Sequence, residues 1–150
     1  FIFFGSLASF SQNEKDALKI LTFSEVEELH QQKPKPVIIF IYTNWCKYCH
    51  GMEKTTFKNK EIIQLLNNNF YFIKLNGEEK KDITFLGKTF VYKPLGNNTG
   101  THELSVELAL KRGRISYPTT VFLNSKFEID LQLIGFNNVK RIKKTLSKYN

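Results

Sequence analysis

A continuous apolar run, Pro36-Val37-Ile38-Ile39-Phe40-Ile41-Tyr42, leads after two residues into Trp45-Cys46-Lys47-Tyr48-Cys49-His50. β-Branched and aromatic residues without polar alternation are what a strand buried on both faces requires. Downstream, Met52, Phe57, Ile62 and Leu65 recur among polar residues, which suits helices packing one side on that strand. The two cysteines, the only ones in the chain, therefore stand where a buried strand turns into a helix. A cysteine at a first helical turn lies near unpaired backbone N–H groups and the positive end of the dipole, and both favour thiolate over thiol. A second cysteine three positions on lies one turn away on the same side, within reach of a disulfide. The spacing points to a reversible redox dithiol.

The 150 residues fit one domain with one core, and 41% hydrophobic residues with 14 phenylalanines supply it. Two cysteines cannot staple a scaffold, so the fold must rest on apolar packing. The formal charge of +8 is spread along the chain. Its one concentration, Lys140-Arg141 with Lys143-Lys144, reads as the solvated face of a last helix, and no nucleic-acid partner is expected. Residues 1–12 pass from Phe1-Ile2-Phe3-Phe4 into small residues and read as the tail of a secretory signal peptide. A hydrophobic N-terminal strand or helix is the other reading. On the first reading the domain spans residues 13–150 and works in the periplasm or otherwise outside the cytoplasm.

Along the chain, Ala17 to Leu21 reads as an edge strand. Ser24-Glu25-Val26-Glu27 has the spacing of a capping box opening a helix to about Gln32, which Lys33-Pro34-Lys35-Pro36 stops. Asn59 caps a second helical piece after a break near Lys58. Phe70 to Leu75 is a strand and Glu78 to Asp82 a polar connection. Ile83-Thr84-Phe85 and Thr89-Phe90-Val91-Tyr92 flank a glycine-bearing turn as a hairpin. Residues 96–100 read as a loop, then a helix runs from about Thr101 to Arg112. Tyr117-Pro118-Thr119 enters a strand to Leu123, Phe127 to Ile134 returns antiparallel, and Asn137 or Asn138 caps the last helix.

Taken together, strand, Trp-Cys-x-x-Cys, helix, strand, helix, Tyr117-Pro118-Thr119, hairpin and helix resemble the thioredoxin superfamily from about Thr22 to Leu146. The segment Cys49-His50-Gly51-Met52-Glu53-Lys54-Thr55-Thr56-Phe57 is most similar to the C-terminal periplasmic domain of DsbD-type reductases and to secreted thioredoxin-like proteins of bacteria. The resemblance implies an α/β thioredoxin fold, a central mixed sheet flanked by helices, with residues 83–100 inserted as a hairpin before the helix that leads to the cis-proline. It implies a thiol-disulfide oxidoreductase in which Cys46, the more exposed sulfur, attacks and Cys49 resolves. It also implies a cis Pro118, with the Tyr117 backbone offered to an extended substrate. Trp45 is read as covering one side of the dithiol, or as purely structural.

Phe40 departs from the family, which commonly carries a buried Asp there. By spacing, Glu53 replaces it: one turn beyond Cys49, it is either a general base for that thiol or an ordinary helix ion pair with a lysine. Lys47, Tyr48 and His50 tune the potential, and a cation at Lys47 argues for a value somewhat above roughly −270 mV. No metal and no cofactor beyond the Cys46–Cys49 disulfide is expected. Cys46-Lys47-Tyr48-Cys49-His50 also spells a c-type haem attachment site, and His30, His50 and His102 are conceivable zinc partners. A strand-to-helix location without a second paired set favours the redox reading over both. The expected partners are disulfide-containing proteins and a membrane or thioredoxin-type electron donor, with the protein acting as a monomer and reductant. An oxidase, an isomerase or a non-catalytic binding module remain the alternatives.

Overall fold

The computed structural model describes residues 17–149, so the signal-peptide reading of residues 1–12 lies outside the described residues. A five-stranded sheet runs in the order β1 (Ile20–Leu21), β3 (Tyr71–Asn76), β2 (Val37–Tyr42), β8 (Thr119–Leu123), β9 (Ile129–Ile134). The first three strands are mutually parallel, and β8 and β9 are antiparallel additions on the other side of β2. This is the mixed sheet expected of the thioredoxin fold.

Burial on both faces explains the unbroken apolar run of β2. Val37, Ile39 and Ile41 point into one core with Phe23 and Val26 of α1 (Phe23–Gln32) and Leu104 and Leu108 of α4 (Glu103–Ala109). Ile38 and Phe40 point into the other, with Met52 of α2 (Lys47–Lys54), Ile62 and Leu66 of α3 (Lys60–Asn69), and Ile142 and Leu146 of α5 (Val139–Leu146). The period of two puts alternate residues on opposite sides. Each side is closed by helices.

The break between α2 and α3 is where the sequence placed it. A 3-10 turn at Thr56–Lys58 separates them, and the Asn59 side chain accepts from Glu61 N and Ile62 N to start α3. Asn138 caps α5 in the same way, through Arg141 N. The start of α1 differs: Thr22 is the N-cap and forms a reciprocal capping box with Glu25, two residues before the expected box. Starting there brings Phe23 into the core, and Glu27 is released to accept a hydrogen bond from Leu86 N at 2.7 Å.

The inserted segment is more regular than expected. β4 (Ile83–Phe85) and β5 (Lys88–Phe90) form the first hairpin around Leu86 and Gly87, both at positive φ. The stretch read as a loop is a second hairpin, β6 (Tyr92–Gly96) with β7 (Thr99–His102), and α4 consequently begins at Glu103 rather than Thr101. Proline is tolerated because this is a two-stranded ribbon with free edges. At the other end α4 stops at Ala109, and Arg112 and Gly113 make a tight turn bridged by Lys111 and Arg114.

Both hairpins are tied to the body. Phe85 packs on Phe23 with ring centroids 4.9 Å apart and on Phe127 at 5.5 Å. His102, fully buried, caps α4 by accepting from Leu104 N at 3.2 Å, while its Nε2 donates to the Lys81 carbonyl at 3.1 Å. The insertion thus completes the α1 and α4 side of the core.

Candidate active site

The parallel strands β2 and β3 end side by side, with Tyr42 in register with Asn76. The residues beyond them build the site. After β2 the chain turns through Thr43 and Asn44, and Cys46 becomes the N-cap of α2. Its sulfur accepts a hydrogen bond from Cys49 N at 3.1 Å, so an N–H that would otherwise lack a helical partner is aimed at Cys46 Sγ. The two cysteines are joined by a disulfide, with Cα atoms 5.3 Å apart. Cys46 is 4% exposed and Cys49 fully buried, which leaves Cys46 as the sulfur nearer to solvent.

Four expected site residues, Trp45, Tyr48, Tyr117 and Pro118, belong to this region. Trp45 and Tyr48 stand out at 67% and 69% exposure. The Tyr117–Pro118 peptide bond is cis, Pro118 is buried, and Tyr117 is half-buried. The Trp45 and Tyr117 rings meet edge to face, with centroids 5.9 Å apart and planes at 87°. Burial, and secondly the charge of Glu78, push the Tyr117 phenol up to about 12. Lys47 and His50 are exposed on α2, and the His50 ring donates from Nε2 to the Asn44 carbonyl at 2.8 Å, bracing the loop that carries the dithiol.

Glu53 lies on the inner side of α2, next to Lys74 of β3. Lys74 Nζ is 3.0 Å from Glu53 Oε1 and 4.6 Å above the centre of the Tyr42 ring. The ion pair lacks hydrogen-bond alignment, since Oε1 is buried and accepts no hydrogen bond among the described residues. Phe40, in register with Lys74, fills the space where the family commonly carries a carboxylate. Its ring lies edge-on to Phe57 at 4.9 Å and belongs to the same apolar cluster as both cysteines.

Four further residues were not found by reading the sequence. Glu78 accepts a hydrogen bond from Trp45 Nε1 at 2.5 Å. Gly77 lies beneath the Tyr117 ring, and Lys74 holds the carboxylate of Glu53. Phe136, 44% exposed, borders α2 at Gly51, where an added Cβ would lie 3.4 Å from its ring. Its neighbour Gly135 donates to the Pro118 carbonyl at 2.8 Å, fastening this loop to the cis peptide. Only the folding of the chain brings these residues to the elements that carry the site; no local motif marks them. Among the described residues no group of three or more His, Cys, Asp or Glu converges as a metal site. No helix among them is long and apolar enough to cross a membrane.

Chemically, the arrangement can cycle between disulfide and dithiol, with one sulfur at a helix N-terminus and its partner behind it. Similarity to known proteins agrees with the architecture. A solved structure described as a DsbH oxidoreductase superposes with a TM-score of 0.60 at 14% identity, covering 97% of this chain and 93% of that one. The reduced C-terminal domain of DsbD from Neisseria meningitidis superposes with a TM-score of 0.55 at 15% identity, covering 85% and 91%. At such identities the likeness shows the thioredoxin fold alone. Spermatogenesis-associated protein 20 of Mus musculus is 36% identical over 61 residues, 41% of this chain and 8% of that protein. The matches to curated relatives take up less than a tenth of those relatives' own length. Residues 12–144 match the model of the family Thioredox_DsbH, described as "Protein of unknown function, DUF255", and the chain belongs to that family.

Proposed function

We propose that the protein is a thiol-disulfide oxidoreductase that works as a reductase of disulfides in exported proteins. The observation that carries the reading is the Cys46–Cys49 disulfide at the N-terminus of α2, beside the cis Tyr117–Pro118 peptide. In the reduced protein, Cys46 thiolate attacks one sulfur of a substrate disulfide. A mixed disulfide forms and one substrate thiolate leaves. Cys49 gives up its proton and attacks Cys46 Sγ, which closes the protein disulfide and releases the second substrate thiolate. Two electrons pass to the substrate, and the protons lost from the two cysteines equal those its thiols take up. A membrane or thioredoxin-type dithiol donor must then return two electrons by the same exchange.

Within this reading Glu53 is the base for Cys49, supported by its place one turn further along α2. The cis peptide leaves the Tyr117 backbone available to an extended substrate strand. The export half rests on the apolar residues 1–12 and is the separable part of the proposal. The test is trapping and titration. Cys49→Ser should accumulate a mixed disulfide with a peptide disulfide through Cys46, and Cys46→Ser should not. Equilibration with glutathione should give a potential near the thioredoxin end of the scale, roughly −270 to −200 mV. A value near −120 mV would assign the oxidase direction instead. Failure of both variants to trap substrate would leave a binding module.

A further inference from the structure

The end of β3 carries two residues that disulfide exchange itself does not use. The first is Gly77. Its N–H donates to the Tyr42 carbonyl at 2.7 Å and its carbonyl accepts from His102 N at 2.8 Å, so its backbone is fixed from both sides. A Cβ added there would stand 2.3 Å from the Tyr117 hydroxyl oxygen and 2.4 Å from Cε1 of that ring. Its φ is not in the left-handed region, so the glycine answers a need for space and not for conformation. The Tyr117 ring reaches its depth because residue 77 has no side chain.

The second is Glu78. The Asn76 side chain accepts from Glu78 N at 3.0 Å, and the Asn76 carbonyl accepts from Glu79 N at 3.0 Å, so the turn that presents Glu78 is itself braced. Its carboxylate receives the Trp45 indole N–H. That bond is charge-assisted, the stronger class. Trp45 is otherwise largely exposed, and an indole without an anchor would sample several rotamers. With the anchor, its edge-to-face packing on Tyr117 makes one continuous aromatic wall.

We propose that Gly77 and Glu78 are positioning residues that preset the Trp45–Tyr117 wall, so that a polypeptide disulfide meets an already ordered surface beside Cys46. The substrate half of this inference rests on the reading under Proposed function; the ordering of Trp45 does not. Glu78 holds the indole, and Gly77 leaves room for the Tyr117 ring that packs on it. Neither touches the exchanging sulfurs in this scheme. Their effect therefore falls on binding, because a wall ordered beforehand spares a substrate the entropy of ordering one large side chain.

The test uses the full chain and its single tryptophan, which makes indole fluorescence a reporter of residue 45 alone. In Glu78→Ala, acrylamide quenching of the oxidised protein should rise, and KM for a peptide disulfide should rise about 2- to 12-fold with kcat unchanged. Glu78→Gln keeps an acceptor and should restore both. Gly77→Ala keeps the backbone bonds but displaces the Tyr117 ring, and should raise KM with a smaller change in quenching. Unchanged quenching in Glu78→Ala, or a glutamine variant as impaired as alanine, overturns the anchoring role. Increased quenching with an unmoved KM overturns the substrate role. A wild-type protein that exchanges no disulfide sinks the functional reading instead, and quenching still decides whether Glu78 orders Trp45.

Discussion

Replacing Glu53 with glutamine asks whether the carboxylate on α2 takes the proton of Cys49. The substitution keeps the volume and removes the charge. Lys74 loses its partner, but the two side chains are 28% and 25% exposed, and such a pair contributes about 0–1 kcal/mol. For a domain of about this size that is at most ~4 °C of melting temperature. The rate should respond far more. Cys49 is fully buried in an apolar cluster with Phe40 and Met52, where a thiolate formed ahead of attack is costly. A positioned base contributes roughly 10²- to 10⁴-fold, and the low end of that range is about 2.7 kcal/mol of barrier. Reduced protein mixed with a peptide disulfide, quenched in acid at intervals and weighed, separates the two steps. In Glu53→Gln the mixed disulfide on Cys46 should persist about 100-fold longer, and the acid limb of the rate profile should flatten. Resolution within threefold of wild type and an unmoved pH profile in Glu53→Gln would refute the base role and leave an ordinary ion pair.

Phe85→Ala should cost about 3–5 kcal/mol, roughly 6–20 °C, because it empties a site packed between Phe23 and Phe127; a loss under about 1 kcal/mol in denaturant titration would show that the first hairpin is not part of the core. Ultraviolet titration should find one phenol ionising near pH 12, absent from Tyr117→Phe. The sign follows from the direction: a phenol pushed up in the folded state leaves stability whole below about pH 10 and lowers it as pH climbs towards 12. Loss of stability between those values should be smaller in Tyr117→Phe, and an equal loss would contradict the assignment.

What the sequence disclosed is what local chemistry determines. The run from Val37 to Tyr42 reads as buried because both of its faces are covered, and Cys46 and Cys49 read as a pair because three helical positions bring them together. Thr22 and Ser24 each stand three residues before a glutamate, so two overlapping capping boxes were open; the burial of Phe23 chose between them. The β6–β7 hairpin was hidden because Pro94, Gly96 and Gly100 carry loop signals. In the folded chain Gly100 is required by the approach of Tyr92 Oη and the Lys93 carbonyl, at 2.2 and 2.7 Å from a Cβ placed there.

The wall of the site was illegible for a different reason. Trp45 and Glu78 are 33 residues apart, and nothing near either residue names the other. Yet the contact follows once the pairing is known. β2 and β3 are parallel neighbours whose last residues, Tyr42 and Asn76, are in register. The third residue beyond one and the second beyond the other must then leave the sheet at the same edge. Ligand sites of parallel sheets gather at that edge because chains that enter it together also exit together. Glu78 therefore reaches Trp45 by topology, and a homologous chain with the same β2–β3 register but no hydrogen-bond acceptor at this position should show a tryptophan free to turn.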